Sequence, residues 1–276
     1  MSLTGRLCII GGGAMGSAIV RGVLAANVVP AASITVSDPG PEARAEFVRI
    51  HGITTVDVNR AAIVDAEMIV VAVKPQSMPA VLHELRGVVA PNQTILSVAA
   101  GVTLSAITNG LGHPHVVRAM PNTPAQIGAG VTVWIAAPSV DVERRQRVEL
   151  VLGALGKAFE VTDENMLDMA TALSGSGPGY VFLFLEALID AGVHIGMTRA
   201  LSSALAIETV IGTAKMARET GMHPAALRNM VTSPAGTTAA GVAELESGAL
   251  RAVIDRAVMA AYARSRALGR GDADLK

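Results

Sequence analysis

Residues 7–16 read LCIIGGGAMG, and this stretch decides the fold of the N-terminal half. Gly11, Gly13 and Gly16 match the pattern G-x-G-x-x-G, between an apolar run typical of a strand and a run over 15–26 typical of a helix. In that setting the first glycine makes a tight turn, the second lets the backbone approach a pyrophosphate, and the third lets the helix pack on the strand. The N–H groups that open the helix then face the phosphates. The stretch therefore predicts a dinucleotide site.

Outward from this loop, short apolar runs alternate with helical stretches. Strands are predicted over 7–10, 34–37, 68–73, 94–98, 115–120, 131–136 and 159–161, and helices over 15–26, 41–51, 59–65, 79–89, 104–111 and 141–155. This alternation is typical of a parallel sheet with crossover helices.

The pattern changes near residue 160, and only helices follow. They are predicted over 178–195, 199–220, 224–231, 237–246 and 249–268. Thr198 is placed to cap the longest of them, and Gly221 to end it. We therefore predict an α/β fold with a Rossmann dinucleotide-binding domain over 1–162 and an all-helical domain over 163–276.

The composition limits the classes of function. Of the 276 residues, 51% are hydrophobic and 16% are charged, against about 25% charged in an average chain. An apolar subunit interface explains this deficit, and so does a core rich in Ala and Gly; we favour an oligomer. The net charge of −1 provides no basic field for nucleic acid.

The remaining composition signals concern redox state and membranes. The one cysteine, Cys8, falls in an apolar strand, so we expect a buried thiol and no disulfide. No uninterrupted apolar run reaches the length of a membrane-spanning helix, and the first residues lack a signal-peptide pattern. We expect a cytoplasmic protein without a membrane partner.

Asp38 ends the predicted second strand, after the glycine loop. A carboxylate there accepts hydrogen bonds from the ribose hydroxyls of the adenosine and repels a 2′-phosphate, which favours NADH over NADPH. Arg44 lies close in sequence and is open to two interpretations, a phosphate ligand or a solvated helix charge.

Other candidates follow the later strands, because ligands bind at the carboxyl ends of parallel strands. Lys74 could reach a cofactor phosphate or ribose, or could be an ordinary exposed lysine. Ala99 and Ala100 are small enough for a flat ring to approach. The loop PNTP at 121–124 could orient a nicotinamide carboxamide through Asn122, or could be a rigid turn.

Two polar segments precede helices in the second half, LSGSGP at 173–178 and MVTSPAGTT at 230–238. Hydroxyls and N–H groups at a helix start can seat a carboxylate, although simple capping has the same appearance. No histidine pair has metal-ligand spacing, so no metal is predicted. No histidine has a convincing setting for acid–base work, although His113 and His115 remain open. Reduction of an imine fits this set, because a protonated nitrogen already makes the carbon electrophilic.

At these residues the chain resembles the pyrroline-5-carboxylate reductase family over about residues 7 to 268. The resemblance is carried by IIGGGAMGSAI, VAVKPQ, SVAAGVTL, RAMPNTPAQIGAG, ALSGSGPGYVF and VTSPAGTTAAGVAELE. It implies reduction of 1-pyrroline-5-carboxylate to L-proline, the final step of proline biosynthesis, with NADPH or NADH. It also implies that the helical domain dimerises and that dimers can build larger homo-oligomers.

The resemblance also implies roles for single residues. Ser233, Gly236 and Thr237 would bind the carboxylate of the cyclic imino acid, Thr238 would hydrogen-bond its ring nitrogen as the catalytic residue, and Ser176 would line the pocket. Together with Asp38, the predicted cofactor-binding residues are Gly11, Gly13, Ala14, Met15, Gly16, Ser37, Asn59, Ala72, Val73, Lys74, Pro75, Ala99, Ala100, Pro121 and Asn122. The chain departs from the family at Asp38, where Ser or Arg types that accept a 2′-phosphate are common, and at Gly179, where Ala is usual.

Two alternatives belong to other classes. A β-hydroxyacid dehydrogenase shares the plan of a Rossmann domain followed by helices, but it needs a lysine a few residues into the helix after its glycine string. Here that helix reads PGYVFLFLEAL, without a lysine before Glu186. The second alternative is a non-enzymatic dinucleotide-sensing protein, against which the intact SPAGTT segment argues. A related cyclic imine also stays open as the substrate.

Overall fold

One eight-stranded sheet organises the first part of the chain in the computed structural model, which describes residues 3–269. The strands are β1 (Arg6–Ile10), β2 (Ile34–Ser37), β3 (Thr54–Val56), β4 (Ala66–Val71), β5 (Thr94–Ser97), β6 (Val116–Met120), β7 (Gly130–Ala136) and β8 (Gly156–Glu160). The helices of this part are α1 (Ala14–Ala25), α2 (Pro41–His51), α3 (Asn59–Ala62), α4 (Met78–Leu85), α5 (Leu104–Leu111), α6 (Val142–Gly153) and α7 (Asn165–Ala170). The predicted elements are present, and β3 and α7 were missed.

The strand order is β3-β2-β1-β4-β5-β6-β7-β8. All neighbours pair in parallel except β6 and β7, which run antiparallel. The predicted all-parallel sheet is therefore wrong at β7. Between Met120 and Gly130 the chain makes only a short 3-10 turn, Thr123–Ile127, whereas a parallel return needs a crossover of about a dozen residues or more.

Side chains from both faces of the sheet are buried, as expected for strands covered by helices on either side. One face includes Leu7, Ile9, Val36, Met68 and Leu96. The opposite face includes Cys8, Ile10, Ile69, Val71 and Ile95. The alternation along each strand explains why the strands read as continuous apolar runs.

Cys8 lies in the middle of β1 and is fully buried. Burial disfavours the thiolate and raises the pKa of its thiol to about 12. The prediction of a buried cysteine is confirmed.

The rest of the chain is helical, with α8 (Gly177–His194), α9 (Arg199–Thr220), α10 (Pro224–Met230), α11 (Thr237–Ser247) and α12 (Leu250–Gly269). The predicted ends of α9 are confirmed. The Thr198 side chain accepts a hydrogen bond from the backbone of Leu201, and Gly221 ends the helix in the left-handed conformation with φ of 63°.

By packing, the chain divides into two compact units. The first comprises the residues up to Ser176 together with the end of α12 from Ala261, and the second is Gly177–Ala260. The domain boundary predicted at residue 162 was placed where strands give way to helices, whereas these two units are defined by packing. The predicted boundary therefore stays a prediction.

The second unit has almost no core of its own. Among the described residues from Gly177 to Ala260, only Ser202 and Ala206 are buried. Phe182 and Leu183 on α8 are 63% and 68% exposed. Large apolar faces of this kind mark surfaces that another molecule covers.

The continuous helical stretch Asn165–His194 passes a length-and-hydropathy criterion for a membrane span, with a mean hydropathy of 1.3 and 6% of the tested window buried. The sequence rule did not detect it because Ser, Gly and Pro interrupt the apolar residues. A helix that is buried between two subunits meets the same criterion, since obligate interfaces are as apolar as a protein core.

Candidate active site

The glycine loop joins β1 to α1, and its geometry explains two of its glycines. Gly11 has a φ of +101°, and a side chain there would begin 2.8 Å from the carbonyl oxygen of Ala72. A side chain at Gly16 would begin 2.0 Å from the carbonyl oxygen of Gly11. Both positions therefore require glycine, the first for the turn and the second for close packing of helix on strand.

Gly13 differs from the other two because the space beside it is open. A Cβ built on Gly13 meets no atom within 4 Å, and no side chain caps this helix start among the described residues. The first N–H groups of a helix have no partner within the helix, so Gly13, Ala14 and Met15 present donors to an anion. These residues fit the pyrophosphate of a dinucleotide, and this open cradle is where it would be held.

The residues predicted to bind the adenosine follow or end β2 and β3. Ser37 donates its hydroxyl to Asn59 Oδ1 at 2.8 Å, and Asn59 Nδ2 donates to Glu84 Oε2 at 2.7 Å. Asp38 follows β2, and its carboxylate accepts from the backbone N–H groups of Gly12 at 2.7 Å and Gly40 at 2.8 Å. The structure thus brings Ser37, Asp38 and Asn59 together beside the glycine loop.

Arg44 is folded back on the chain that follows β2. Its guanidinium donates to the carbonyl oxygens of Asp38 at 2.7 Å and Pro39 at 2.9 Å. The sequence left open a phosphate ligand or a solvated helix charge. The structure shows a third arrangement, in which Arg44 is hydrogen-bonded to the backbone beside Asp38.

The segment after β4 lies against the same loop. The N–H of Ala72 donates to the carbonyl of Ile10 at 2.8 Å. A Cβ on Gly11 would lie 3.1 Å from the side chain of Val73. Lys74 is exposed and begins the 3-10 turn Pro75–Ser77. Ala72 and Val73 therefore contact the end of β1 and the glycine loop, and the predicted role of Ala72, Val73, Lys74 and Pro75 in binding the cofactor stays a prediction.

Two further candidate segments follow the next strands in the sheet. Ala99 and Ala100 come after β5, and Pro121 and Asn122 come after β6. Asn122 is buried, and both ends of its amide are in use. Oδ1 accepts from the N–H of Val131 at 2.9 Å, and Nδ2 donates to the carbonyl of Ser174 at 3.0 Å. Its contact with the nicotinamide stays a prediction. In the structure, its hydrogen bond to Ser174 connects the loop after β6 to the segment that contains Ser176.

Ser176 follows a π-helical turn, Thr171–Gly175, between α7 and α8. Its N–H donates to the carbonyl of Thr171 at 2.8 Å. Single π turns inside helices are rare and often occur at functional sites. The sequence analysis interpreted this segment as the polar start of the following helix; the structure has a π-helical turn there, which continues from α7.

The second candidate segment is a tight turn that leads into α11. Gly236 donates its N–H to the carbonyl of Ser233 at 3.0 Å, and a Cβ on Gly236 would lie 2.3 Å from Ser233 Oγ. No described side chain caps the helix, which starts at Thr237. The N–H groups of Thr237 and Thr238 therefore stand at a helix start beside hydroxyls, an arrangement suited to a carboxylate.

One cluster of charged residues was missed by the sequence analysis. Arg118 lies inside β6 and pairs with Glu164 and Asp168 around the start of α7. The available signal was the single cation inside the apolar run VVRAM. No group of three His, Cys, Asp or Glu side chains in the described residues is placed to hold a metal ion, and the metal-free site stays a prediction.

Comparison with known proteins places this geometry in a family. Residues 164–268 match the family described as pyrroline-5-carboxylate reductase dimerisation, and residues 6–101 match NADP oxidoreductase coenzyme F420-dependent. A pyrroline-5-carboxylate reductase of Pseudomonas aeruginosa is 40% identical over 266 residues, which cover 96% of this chain and 97% of the relative. The chain belongs to the pyrroline-5-carboxylate reductase family.

Solved structures of this family superpose on the whole chain. The pyrroline-5-carboxylate reductase of Coxiella burnetii is 37% identical with a TM-score of 0.89, covering 96% of this chain and 99% of that one. The pyrroline carboxylate reductase of Plasmodium falciparum, solved with NADP bound, is 29% identical with a TM-score of 0.88, covering 98% and 100%. The predicted fold, a Rossmann domain followed by a helical dimerisation domain, is confirmed.

Proposed function

We propose that this protein reduces 1-pyrroline-5-carboxylate to L-proline, with NADPH or NADH as the hydride donor. The observation that carries the proposal is the open helix start at Gly13 in a chain that shares 40% identity with a pyrroline-5-carboxylate reductase over nearly its full length. The family membership favours this function over a β-hydroxyacid dehydrogenase and over a dinucleotide sensor.

A bound reduced nicotinamide would supply a hydride to the carbon of the protonated imine, so that the C=N bond becomes the C–N bond of proline and the nitrogen keeps the proton that it already carries. Around this step the chain binds and orients. The amides of Gly13, Ala14 and Met15 hold the pyrophosphate. Ser37, Asp38 and Asn59 surround the adenosine ribose, and the segment Ala72–Pro75 lines the groove.

The segment 233–238 and Ser176 supply the substrate contacts. Ser233, Gly236 and Thr237 bind the carboxylate, because the N–H groups at the start of α11 favour a negative charge. The hydroxyl of Thr238 hydrogen-bonds to the ring nitrogen and keeps the imine in one orientation. Ser176 lines the pocket after the π turn.

The protein also acts as a homo-oligomer built from dimers, in the cytoplasm, without nucleic acid or membrane partners. The exposed apolar faces of α8 and α9 support this, because they lie within the region that matches the dimerisation family. The net charge of −1 gives nucleic acid no attractive field.

The role of Thr238 is tested by three substitutions. Thr238→Val keeps the shape without the hydroxyl, Thr238→Ala removes both, and Thr238→Ser keeps the hydroxyl as a matched control. We expect Val and Ala to lower kcat/KM for pyrroline-5-carboxylate about 10- to 100-fold, the cost of a hydrogen bond to a charged group. Ser retains most of the activity, and the Kd of NADPH and NADH stays unchanged in all three. Full activity of Thr238→Val would remove Thr238 from the mechanism.

A further inference from the structure

Arg118 is a buried cation in the middle of β6, with 5% of its side chain exposed. A buried charge is costly unless it is paired and hydrogen-bonded. Here Arg118 Nη1 donates to Glu164 Oε1 at 2.7 Å, and Nη2 lies 3.9 Å from Asp168 Oδ1. Both carboxylates lie at the start of α7, so the ion pair joins the sheet to that helix.

Glu164 has a second contact on a different element. The same Oε1 atom accepts a hydrogen bond from the backbone N–H of Leu104 at 2.7 Å. Leu104 is the first residue of α5, and Thr103 caps that helix by accepting from Ala106. Glu164 therefore fixes the point where the chain leaves the segment Ala99–Thr103 and enters α5.

Asp168 connects the cluster to the end of α12. Its Oδ1 accepts from the hydroxyl of Ser265 at 2.7 Å. The same end of α12 packs on the segment, since a Cβ on Gly101 would lie 3.4 Å from Leu268 Cβ. The segment Ala99–Thr103 is thus held from two directions, and Arg118 lies between the two carboxylates.

We propose that Arg118 is a positioning residue which, through Glu164 and Asp168, fixes the segment Ala99–Thr103 for the nicotinamide half of the cofactor. This rests on the proposed function, which puts Ala99 and Ala100 beside the nicotinamide. In the proposed function the glycine loop and Asp38 hold the adenosine and pyrophosphate half, and within residues 3–269 they make no hydrogen bond to this cluster. Loss of the cluster therefore weakens binding of the nicotinamide half selectively.

The test compares two ligands in the full-length protein by calorimetry. NADPH and NADH contain the nicotinamide, whereas ADP-ribose contains the pyrophosphate and adenosine without it. Glu164→Ala removes the contacts with both Arg118 and Leu104. Glu164→Gln keeps an oxygen for the N–H of Leu104 but removes the charge. Glu143→Ala, which breaks a solvent-exposed ion pair with Arg147, is the control.

In Glu164→Ala we expect the Kd of NADPH and NADH to rise about tenfold, because the segment Ala99–Thr103 loses the two hydrogen bonds of Glu164, to Arg118 and to Leu104, that hold it in place. In the same variant the Kd of ADP-ribose changes less than twofold. The Kd of NADPH and NADH in Glu164→Gln lies between the values of the wild type and Glu164→Ala. The control Glu143→Ala changes the Kd of none of these ligands. Thermal melts of all variants confirm that the protein stays folded, and Glu164→Gln remains informative if Glu164→Ala is too unstable.

Two results would overturn the proposal. If the Kd of ADP-ribose and that of NADPH rise together, the cluster supports the whole sheet and positions nothing. If neither changes in either Glu164 variant, the segment does not depend on the cluster. A measurement on the wild-type protein distinguishes failure of this proposal from failure of the proposed function. If the wild type binds NADPH but does not reduce pyrroline-5-carboxylate, only the proposed function is refuted.

Discussion

The carboxylate of Asp38 accepts a hydrogen bond from the backbone N–H of Gly12, with 2.7 Å between Asp38 Oδ2 and the nitrogen. Its other oxygen accepts from Gly40. These two hydrogen bonds link the glycine loop to the end of β2 and fix the orientation of the carboxylate. Because Asp38 lies beside the predicted ribose site, we expect the choice between NADH and NADPH to depend on it.

The first prediction concerns this choice. A phosphate on the 2′ oxygen would be repelled by Asp38, since two unit charges 4 Å apart near a protein surface interact by about 4 kcal/mol. We expect Asp38→Asn to raise the ratio of NADPH affinity to NADH affinity at least about tenfold, or ~1.4 kcal/mol. Loss of the hydrogen bond to Gly12 or Gly40 lowers the affinity for both cofactors. The ratio of the NADPH affinity to the NADH affinity therefore reports the effect of the Asp38 charge alone.

Titration of both cofactors against wild type and Asp38→Asn measures this ratio, and added salt should reduce the difference for the wild type. An unchanged ratio in Asp38→Asn would show that Asp38 supports the loop without selecting the cofactor.

The second prediction concerns the open position at Gly13. Gly13→Ala places a methyl group where no described atom beyond Gly13 and its two chain neighbours lies within 4 Å, at an extended φ of −71° that alanine adopts easily. The methyl group would intrude on a pyrophosphate bound at this helix start. We expect an unchanged melting temperature and a loss of NADPH and NADH affinity of about tenfold or more.

Gly153→Ala is the matched control, because Gly153 also has no atom within 4 Å of a built Cβ and lies far along the chain at the end of α6. It should bind both cofactors as the wild type does. Equal cofactor affinity in Gly13→Ala and the wild type would mean that the pyrophosphate does not lie on this helix start.

Several parts of the architecture were predictable, for a physical reason. The glycine loop, β1 and α9 carry local signals: glycine positions set by sterics, an apolar run, a threonine cap and a left-handed glycine. β3 (Thr54–Val56) is short and partly polar, so it lacks such a signal and forms only because β2 offers an unpaired edge.

The site was less predictable where side chains meet across elements. Nothing local in VVRAM shows that Arg118 meets Glu164, because their separation along the chain leaves the pairing to the tertiary fold. The π turn before Ser176 has the same origin, because packing there overrides the local preference of the glycines. The antiparallel direction of β7 differs, since it follows from the short connection between β6 and β7.

The third prediction concerns backbone strain at Ala235, in the tight turn that leads into α11. Ala235 has a φ of +59°, the left-handed region that costs a residue with a Cβ roughly 1–2 kcal/mol. We expect Ala235→Gly to raise the free energy of unfolding by about 0.5–1 kcal/mol, because relief of strain exceeds the entropy cost of glycine. Thermal or urea denaturation measures the change.

Ala45→Gly on the exposed side of α2 is the control for a glycine in an ordinary helix. It should lower the free energy of unfolding by up to about 1 kcal/mol. A loss of similar size in Ala235→Gly would show that Ala235 is unstrained in solution.

The fourth prediction concerns acid stability. His113 is buried, and its Nε2 lies 2.9 Å from the carbonyl oxygen of Gln93. Burial lowers the pKa of His113, and the nearby His115 and Arg144 lower it further, against the raising effect of the Gln93 carbonyl. Below a pH of about 6.5 the unfolded chain therefore binds a proton that the folded chain does not.

The sign follows from this difference. The free energy of unfolding falls as the pH drops from about 6.5 toward the folded-state pKa of His113, by at most ~1.4 kcal/mol per pH unit. We expect His113→Gln to flatten this part of the stability curve, measured by urea denaturation between about pH 5 and 7. His83→Gln, on the exposed side of α4, is the control. A curve for His113→Gln that parallels the wild type would contradict the assignment.

The most direct measurement mixes the purified wild-type protein with pyrroline-5-carboxylate and either NADPH or NADH, and follows the nicotinamide absorbance together with the amount of L-proline formed. The account predicts that one L-proline appears for each reduced cofactor consumed, and that consumption stops when the imino acid is omitted. Binding of either cofactor without any formation of L-proline would contradict the account.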